Sequence, residues 1–501
     1  MKFSNPRKSL LTLCILAASG CAVGPDFKTP AAPQTDRYTA QELPQQTAAT
    51  DVKGGEAQTF AIGEQLPAQW WTLFGSDKLN TLVQAAFNGS PTSAAARAAL
   101  RQAQENLNAQ RGGFFPSIDA NGSAQRQRGA VLAPGLGDAG VYNLYNASVS
   151  VAYTLDIFGG VRRGVEARAA AVDSQQFELQ ATYLTLAANV VTSSVGEAAL
   201  RDQLAATQDI IKALENQLNI IEQRHQLGAA AFSDVLSARS NLAAVRATLP
   251  TYEKQLAAVQ NQLAVYLGKL PSDFTASNFD IGELTLPQQL PLNVPSELVR
   301  RRPDVRSAEA RMHEASAEIG VATANLLPQI SLNGSFGSQT TEAAQLFKDK
   351  VWSFGAGITQ PLFHGGTLTA QRRAAIAAYD QAAANYQNVV LKSFQNVADA
   401  LSAVHSDAKA LQAQYEAMSS AKSSLDLREK QLALGSISFL NLLDAQRQYQ
   451  QTRINYSQAL ASRYQDTAAL FQALGGDWDD TAALIQPVAT AAESTKTPAQ
   501  Q

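Results

Sequence analysis

Two kinds of apolar periodicity divide the chain. Four segments alternate apolar and polar residues with a period of two, the pattern of a β-strand with two different faces. The clearest runs from Tyr145 to Leu155, and the others begin near Ile118, Ile330 and Trp352. Each is about ten residues long with one strongly polar face, as expected for an outer-membrane strand between lipid and water. A soluble antiparallel sheet would show the same alternation, so the strands alone leave both interpretations open.

Two other stretches, 163–227 and 367–434, predict very long helices. Both are rich in Ala, Gln, Leu and Val, and neither contains a proline. At 1.5 Å per residue each helix would be on the order of 90–100 Å long. Because such helices need partners, we expect them to pack as coiled-coil hairpins. Their turns are predicted at Leu227-Gly228 and Leu434-Gly435, where glycine supplies the non-helical backbone.

The same order of elements occurs in both halves of the chain. Ser90-Pro91 precedes a helical run that ends at Phe114-Phe115-Pro116, and Arg302-Pro303 precedes one that ends at Leu326-Leu327-Pro328. In each half a strand pair, a very long helix, a tight turn and a second long helix follow. The sequence therefore contains an internal duplication, in which polar or glycine-rich loops join each strand pair as a hairpin (129–143 and 337–350).

Composition excludes several classes of protein. The 501 residues include 40 Lys and Arg against 43 Asp and Glu, so no basic excess favours nucleic acid as a partner. Hydrophobic residues make up 45%, which excludes wholesale disorder. No stretch reaches the roughly 20 apolar residues of a membrane-spanning helix, which excludes a polytopic helical membrane protein.

The N-terminus resembles a bacterial lipoprotein signal. A basic start and a short apolar run from Leu10 to Ala18 lead to small residues before Cys21. Ala18 stands where the lipobox more often has Leu. The resemblance implies cleavage before Cys21 and lipid attached to that cysteine, and Ala22 after it favours the outer membrane. The alternative is ordinary signal cleavage that leaves a free thiol.

Candidate catalytic chemistry is scarce, and we predict no enzyme, no metal site and no cofactor other than the covalent lipid on Cys21. Gly135–Gly140 has the spacing G-x-G-x-x-G but leads into a strand pattern, where a dinucleotide site needs a helix. Arg300–Arg302 is interpreted as a solvated helix start, with an anion site as the less favoured alternative. None of the four histidines has another at helical spacing (His225, His313, His364 and His405).

Five motifs spread over nearly the whole mature chain resemble the TolC-like outer-membrane factor family, in the lipoprotein branch similar to OprM. They are Cys21–Phe27, Trp71–Leu79, Arg301–Glu309, Leu442–Arg447 and Ala473–Trp478. The resemblance implies an outer-membrane exit duct that passes small molecules such as drugs from the periplasm to the exterior. Its implied partners are a periplasmic adaptor and an inner-membrane transporter of the resistance-nodulation-division class, with outer-membrane lipid around it. A type I secretion or metal-efflux duct and, less favoured, a periplasmic coiled-coil adaptor remain alternatives.

Strand number predicts a homotrimer if the strands lie in membrane. Four strands cannot close a barrel, and open sheet edges are not tolerated in lipid. Eight strands leave an interior filled by side chains, so twelve strands from three chains form the smallest symmetric ring with a passage. The predicted fold is an α+β membrane protein, a trimeric 12-stranded outer-membrane β-barrel continued by a long periplasmic α-helical coiled-coil barrel.

The second helix turn resembles the segment that narrows the periplasmic mouth in this family. Asp444 matches an inward carboxylate of that mouth, and Asp234 matches another aspartate at the narrow end of TolC. Asn441 stands where TolC has a second aspartate, so the implied ring is less acidic. TolC latches its helices with an arginine where this chain has Ile437. A solvated tip charge is the alternative for Asp444.

These observations divide the chain into six predicted segments. In order they are a signal peptide, a lipid-anchored extended segment, a first repeat, a Pro-rich connector, a second repeat and a flexible tail (1–20, 21–78, 79–268, 269–296, 297–478 and 479–501).

Overall fold

The computed structural model describes residues 22–40, 44–128, 140–276 and 279–476. The chain forms two compact units. The first contains the described residues of 1–30, 99–176 and 307–387, and the second those of 31–98, 177–306 and 388–501.

Long helices and short strands alternate along the chain. The strands are β1 (Thr59–Ile62), β2 (Ser117–Arg128), β3 (Val141–Leu155), β4 (Gln289–Leu292), β5 (Gln329–Thr340) and β6 (Lys350–Thr359). The α-helices are α1 (Asp77–Gly89), α2 (Pro91–Arg111), α3 (Gly160–Gln226), α4 (Phe232–Arg246), α5 (Leu249–Tyr266), α6 (Pro295–Arg301), α7 (Pro303–Ala324), α8 (Thr367–Ala433) and α9 (Phe439–Leu474). None of these described helices combines the length and the hydropathy that a membrane span requires.

The first unit contains the four predicted strands in one antiparallel sheet of order β2-β3-β5-β6. The predicted period-two segments are confirmed, but two strands are longer than expected because cross-strand pairing continues past the apolar positions. Strand β3 has 15 residues and pairs with β2 as far as Val141 and Arg128. Strand β5 runs to Thr340, opposite Tyr145. The loops predicted at 129–143 and 337–350 are therefore longer than the loops that the structure has, because the strands extend into both ranges. Residues 129–139 lie outside the described residues.

Both very long helices are confirmed. Helices α3 and α8 have 67 residues each, and their bounds lie within a few residues of the predicted ones. The Asp156 carboxylate accepts hydrogen bonds from the backbone N–H groups of Val161 and Arg162, at 2.9 and 3.0 Å, and so caps the start of α3. The predicted turns also form, because Gly228 and Gly435 adopt φ angles of 74° and 72°.

The helix after each turn differs between the halves. The second half has α9, an uninterrupted helix of 36 residues. In the first half the equivalent stretch is divided into α4 and α5, with the break immediately before Leu249-Pro250. The single long helix expected here is wrong because Pro250 has no N–H to continue the helical hydrogen bonds.

The second unit contains a small sheet that sequence patterns did not predict. Strand β4 pairs in parallel with β1, Leu290 opposite Phe60. The 269–296 connector and the N-terminal segment therefore contribute the two strands of one sheet. Four residues are too few to display a period, and Pro291 argues against a strand except at an edge.

Aromatic residues anchor the N-terminal segment in the core of the second unit. Trp70, Trp71 and Phe74 lie on a short 3-10 helix, and all three are buried. The ring of Trp70 lies 5.7 Å from that of Phe471 on α9, and Trp71 contacts Phe87 edge to face at 5.3 Å. Burial of such large rings supplies much of the packing energy at this site.

Arg302 has a structural role, and its interpretation as part of a solvated helix start is wrong. It is 7% exposed and donates hydrogen bonds to the Ala473 carbonyl, at 2.6 Å, and to both carboxylate oxygens of Asp304. The carbonyl end of a helix carries partial negative charge, which a guanidinium stabilises. The Arg-Pro-Asp motif thus connects the start of α7 to the end of α9.

Two carboxyl groups share a poorly hydrated site in the second unit. Asp407 on α8 is hydrogen-bonded to Asp466 on α9, near the fully buried guanidinium of Arg463. Burial, the hydrogen bond to Asp466 and its charge raise the pKa of Asp407 to about 7, while Arg463 opposes the shift. At neutral pH the two carboxyl groups therefore hold a proton that the unfolded chain would release.

Replacing Asp407 tests this pair. Between about pH 4 and pH 7 only the folded state keeps the proton, so stability of the native protein should rise as pH falls from 8 to 5. We expect Asp407→Asn to raise the free energy of unfolding at pH 8 by about 1–3 kcal/mol, allowing for partial solvent screening. Thermal unfolding at both pH values should show a smaller pH dependence than in the native protein. The control Glu416→Gln, an exposed carboxylate on α8, should change neither value.

Candidate channel surfaces

The sheet of the first unit has one apolar and one polar face. Residues directly opposite each other on neighbouring strands share a face, and Ala120, Val149, Phe336 and Trp352 form one such row. Large apolar side chains of this face are exposed, including Trp352 at 76%, Phe354 at 73% and Phe336 at 57%. A continuous exposed apolar surface of this kind marks contact with lipid or another protein.

The opposite face is lined by small polar groups. One row there consists of Asp119, Ser150, Ser335 and Ser353. The Ser335 and Ser353 hydroxyls are hydrogen-bonded at 2.8 Å, and the Asn121 amide donates to the Ser150 hydroxyl at 3.1 Å. Apolar and polar faces on one sheet are the arrangement that separates lipid from a water-filled interior.

Both outer strands of this sheet have an open edge in the single chain. Among the described strands, β2 pairs only with β3, and β6 pairs only with β5. Each successive pair is antiparallel, so β2 and β6 run in opposite directions. The β6 edge of one copy can therefore pair with the β2 edge of another without changing the antiparallel order.

The second unit brings the two predicted helix tips together. Val235 and Ala238 of α4 share a buried apolar cluster with Phe439, Leu442 and Leu443 of α9. Ile221 and Leu425 of the long helices belong to the same cluster. The first two turns of α4 and α9, which contain the predicted gate residues, are thus held side by side by apolar burial.

The three predicted gate residues lie away from this buried cluster. Asn441 and Asp444 are exposed and share one side of α9, because residues three apart lie on the same helix face. Asp234 is half-buried in the first turn of α4. Within the described residues neither aspartate makes an ion pair.

Arg447 and Asn241 link α9 to α4 near the helix tips, where the latch was expected to differ from the arginine latch of TolC. Arg447 on α9 donates a hydrogen bond to the Asn241 side-chain oxygen on α4, at 3.0 Å. Asn241 is buried, so this contact is shielded from competing water. Ile437 lies in the preceding turn.

Each helix turn exposes a leucine. Leu227 and Leu434 precede the two turn glycines and are 83% and 84% exposed. Phe232 and Leu440, in the first turns of the helices that follow, are also more than half exposed. The tips of both repeats therefore present the same apolar surface to solvent or to a partner.

The residues that follow Cys21 are held by a buried arginine in the first unit. Cys21 itself lies outside the described residues. Arg163 has a side chain that is 5% exposed and donates to the Val23 carbonyl and to the Asp26 carboxylate, at 3.1 and 2.7 Å. It also pairs with Glu166 at 2.7 Å. Burial lowers the pKa of Arg163, but hydrogen bonds and charge from Asp26 and Glu166 outweigh it, and the net shift is upward.

Close packing completes this N-terminal clasp, which we define as Arg163, Glu166 and His313 together with residues 22–27. His313 contacts Glu166 at 2.9 Å and stacks on Phe27, with ring centroids 4.5 Å apart. Gly24 has a φ angle of 101°, and a Cβ atom there would lie 2.5 Å from the Cα atom of Gly320. Only glycine fits this position.

Sequence reasoning missed the clasp because its residues are far apart in the chain. The one local signal is the family motif Gly24-Pro25-Asp26, directly after the predicted lipobox. Among the described residues no three metal-binding side chains come together. Most of the Gly135–Gly140 motif lies outside the described residues.

The family model named "Outer membrane efflux protein" matches residues 82–269 and 294–476, which correspond to the two halves of the duplication. A relative in Pseudomonas putida, the pyoverdine export outer membrane protein OpmQ, is 31% identical over 423 residues, covering 82% of this chain and 89% of the relative. The toluene efflux pump outer membrane protein TtgC of Pseudomonas putida is 30% identical over 454 residues, covering 88% and 90%.

Solved structures agree with these relatives. The outer-membrane channel OprN is similar with a TM-score of 0.80 at 28% identity, covering 91% of this chain and all of that one. The Campylobacter jejuni channel CmeC has the same TM-score at 19% identity, which supports the fold alone. The family match excludes the alternative that this chain is a periplasmic adaptor. Members of this family are channels and not enzymes. This chain therefore belongs to the outer membrane efflux protein family, with the TolC-like fold, and is the outer-membrane channel of a Gram-negative efflux pump that works with further pump components.

Proposed function

We propose that three copies of this chain, each anchored by lipid on Cys21, close into one exit duct for small molecules. The observation that carries the proposal is the four-stranded sheet with two unlike faces and two open edges. An open edge in lipid leaves backbone N–H and C=O groups without hydrogen bonds, at a cost of several kcal/mol for each group. Pairing β6 of each copy with β2 of the next satisfies both edges.

A ring of three copies also places the two faces where their chemistry fits. The apolar row containing Val149 and Trp352 then faces lipid, and the row containing Ser150 and Ser335 faces the interior. Twelve strands enclose a passage, whereas eight leave an interior filled by side chains. The interior rows are small and nearly uncharged, so we infer that the duct selects little and that the inner-membrane transporter chooses the substrate. Relatives named for pyoverdine and for toluene export agree with a small organic cargo.

The N-terminal clasp supports the lipid anchor. Clasp residues 22–27 follow the predicted acylation site directly, and Arg163 and Glu166 lie at the start of α3, just after strand β3 ends. The clasp would therefore hold the acylated cysteine near the helix end of the sheet. Several acyl chains together give stable anchoring, where one chain is marginal.

At the other end of the long helices we propose that Asp444, Asn441 and Asp234 line the periplasmic aperture. One copy of each aspartate from three chains would give a ring of carboxylates around the axis. Like charges 4 Å apart repel by about 1 kcal/mol in water and by more in a narrow mouth. Such a ring attracts cations. The exposed tip leucines Leu227 and Leu434 would remain available to the periplasmic adaptor.

Assembly and the lipid face are tested together by a charge placed on each side of β3. Val149→Arg should cost roughly 2–4 kcal/mol per chain, because it places a charge among lipid tails. The matched change Ser148→Arg, on the adjacent interior position, should be tolerated. Light scattering of the purified native protein in detergent should give the mass of three chains. A monomer, or equal losses in the two variants, would contradict the proposed ring.

The anchor is tested by separating acylation from the clasp. Cys21→Ser should abolish labelling by radioactive palmitate, because the acceptor sulfur is gone. Arg163→Met should keep the label but free the chain after Cys21, so that limited proteolysis cuts it near residue 30 much faster. Arg168→Met, which removes a half-exposed arginine on the same helix, is the control. Undiminished labelling of Cys21→Ser would rule out the lipoprotein.

The aperture residues are tested by conductance in planar bilayers. Asp444→Ala should weaken block by trivalent cations added from the periplasmic side, since it removes one carboxylate per chain from the narrow mouth. Glu429→Ala, an exposed carboxylate on α8, should leave the block unchanged. If Asp444→Ala has the block and the conductance of the native channel, Asp444 is a solvated tip charge.

A further inference from the structure

The apolar face of the sheet ends in basic side chains at one end only. On β2 the residues that share a face with Ile118 are every second one, and the last two are Arg126 and Arg128. On β6 the corresponding face begins with Lys350 and continues through Trp352. All three basic side chains are exposed, but Arg128 already has an interaction partner within the protein, so Arg126 and Lys350 are the candidate ligands on this face. No carboxylate occupies this face on any of the four described strands.

The distance from the apolar end of the face to its first basic residue is the same on both edge strands. Arg126 lies eight positions from Ile118, and Lys350 lies eight positions from Ile358. At about 3.3 Å per residue this separation is about 26 Å along the strand. The apolar band of outer-membrane barrels is about 25 Å tall. Each basic side chain thus lies where the face leaves the hydrocarbon and meets lipid headgroups.

Strand connections identify which headgroups these are. The ends of the sheet at Ser117, Leu155, Gln329 and Thr359 adjoin the helical segments. In the proposed duct these helices extend into the periplasm. The hairpin ends, with the basic residues, are therefore on the outer side of the membrane. At the helix end the same face carries Ile118, Leu155, Ile330 and Ile358 and no charge.

We propose that Arg126 and Lys350 bind the phosphate groups of phosphorylated glycolipid in the outer leaflet of the membrane. The inference rests on the proposed ring, in which β6 of one copy lies beside β2 of the next. Each junction between copies then brings Lys350 of one chain to the same rim as Arg126 of its neighbour. Their mutual repulsion favours a bound anion, and arginine pairs with phosphate through two parallel hydrogen bonds.

The surface below Lys350 suits the rest of such a lipid. A shallow cavity of about 530 Å³ opens beside Lys350 and is lined by Gly122, Ala147, Val149 and Phe336 among others. Its lining is mostly apolar, as an acyl chain requires. Of the nearest described acids, Glu342 and Asp349 lie in the loop between β5 and β6, and Glu342 accepts a hydrogen bond from Gln345 at 2.6 Å.

Native mass spectrometry of the detergent-solubilised protein tests the proposal with bis-phosphorylated lipid A as the probe. The native trimer should retain lipid A, and the double variant R126Q/K350Q should bind it at least tenfold more weakly. The control R101Q/R373Q removes two exposed charges from helices and should bind as the native protein does. Lipid A from which both phosphates have been removed should bind the native protein and the double variant equally. The single variants Arg126→Gln and Lys350→Gln, each expected to lose part of the affinity, serve if the double variant does not fold.

The same spectra separate this inference from the proposed assembly. A monomer mass would contradict the ring of three copies, whatever lipid is bound. A trimer whose lipid A binding is unchanged in the variants would overturn the phosphate site. Equal retention of dephosphorylated lipid A by the native protein would do the same. If inorganic phosphate at equal concentration displaces lipid A, the site recognises free phosphate and the glycolipid assignment is wrong.

Discussion

Backbone hydrogen bonding at the two open edges of a four-stranded sheet is the constraint on which the rest of the molecule depends. In a single chain, β2 and β6 each pair along one edge only. Lipid cannot hydrogen-bond to the unpaired backbone groups of the other edge. Neither water nor lipid suits both the apolar and the polar face of the sheet. The even number of strands per chain makes a closed antiparallel ring possible. The exposed apolar face and the small interior side chains then follow from the same requirement.

In each half of the chain a long helix follows the strand pair. Each half of the duplication supplies one strand pair and one long helix of 67 residues, so sheet and helices increase together with the number of copies. Small side chains along these helices permit close approach, and apolar burial at their tips holds α4 beside α9. In the proposed duct, a pump component that binds at these tips would therefore meet surfaces built from both halves of the chain.

Features that depend on neighbouring residues were predictable, and features that depend on distant ones were not. Period-two alternation revealed β3 except for its first four residues, and the lack of proline revealed α3 to within a few residues, since both patterns are local. The β1–β4 pairing joins residues more than two hundred positions apart. Arg302 is buried because it hydrogen-bonds to the Ala473 carbonyl, which is 171 positions away in the chain. The ion pair between Arg163 and Asp26 joins residues 137 positions apart. No local sequence pattern indicates either contact. The family resemblance indicated candidate aperture residues, but no pattern revealed the contact between Arg447 and Asn241.

The break before Pro250 makes the two helical hairpins of a chain mechanically unequal. Bending a continuous helix such as α9 strains a complete ladder of hydrogen bonds, whereas α4 and α5 can flex at residues 247–248, where the ladder is interrupted. In an assembly of three chains, helical hairpins with a continuous helix would alternate around the axis with hairpins whose helix is divided. A twisting load at the periplasmic end would then be absorbed at three joints, and the opening would deform with threefold rather than sixfold symmetry.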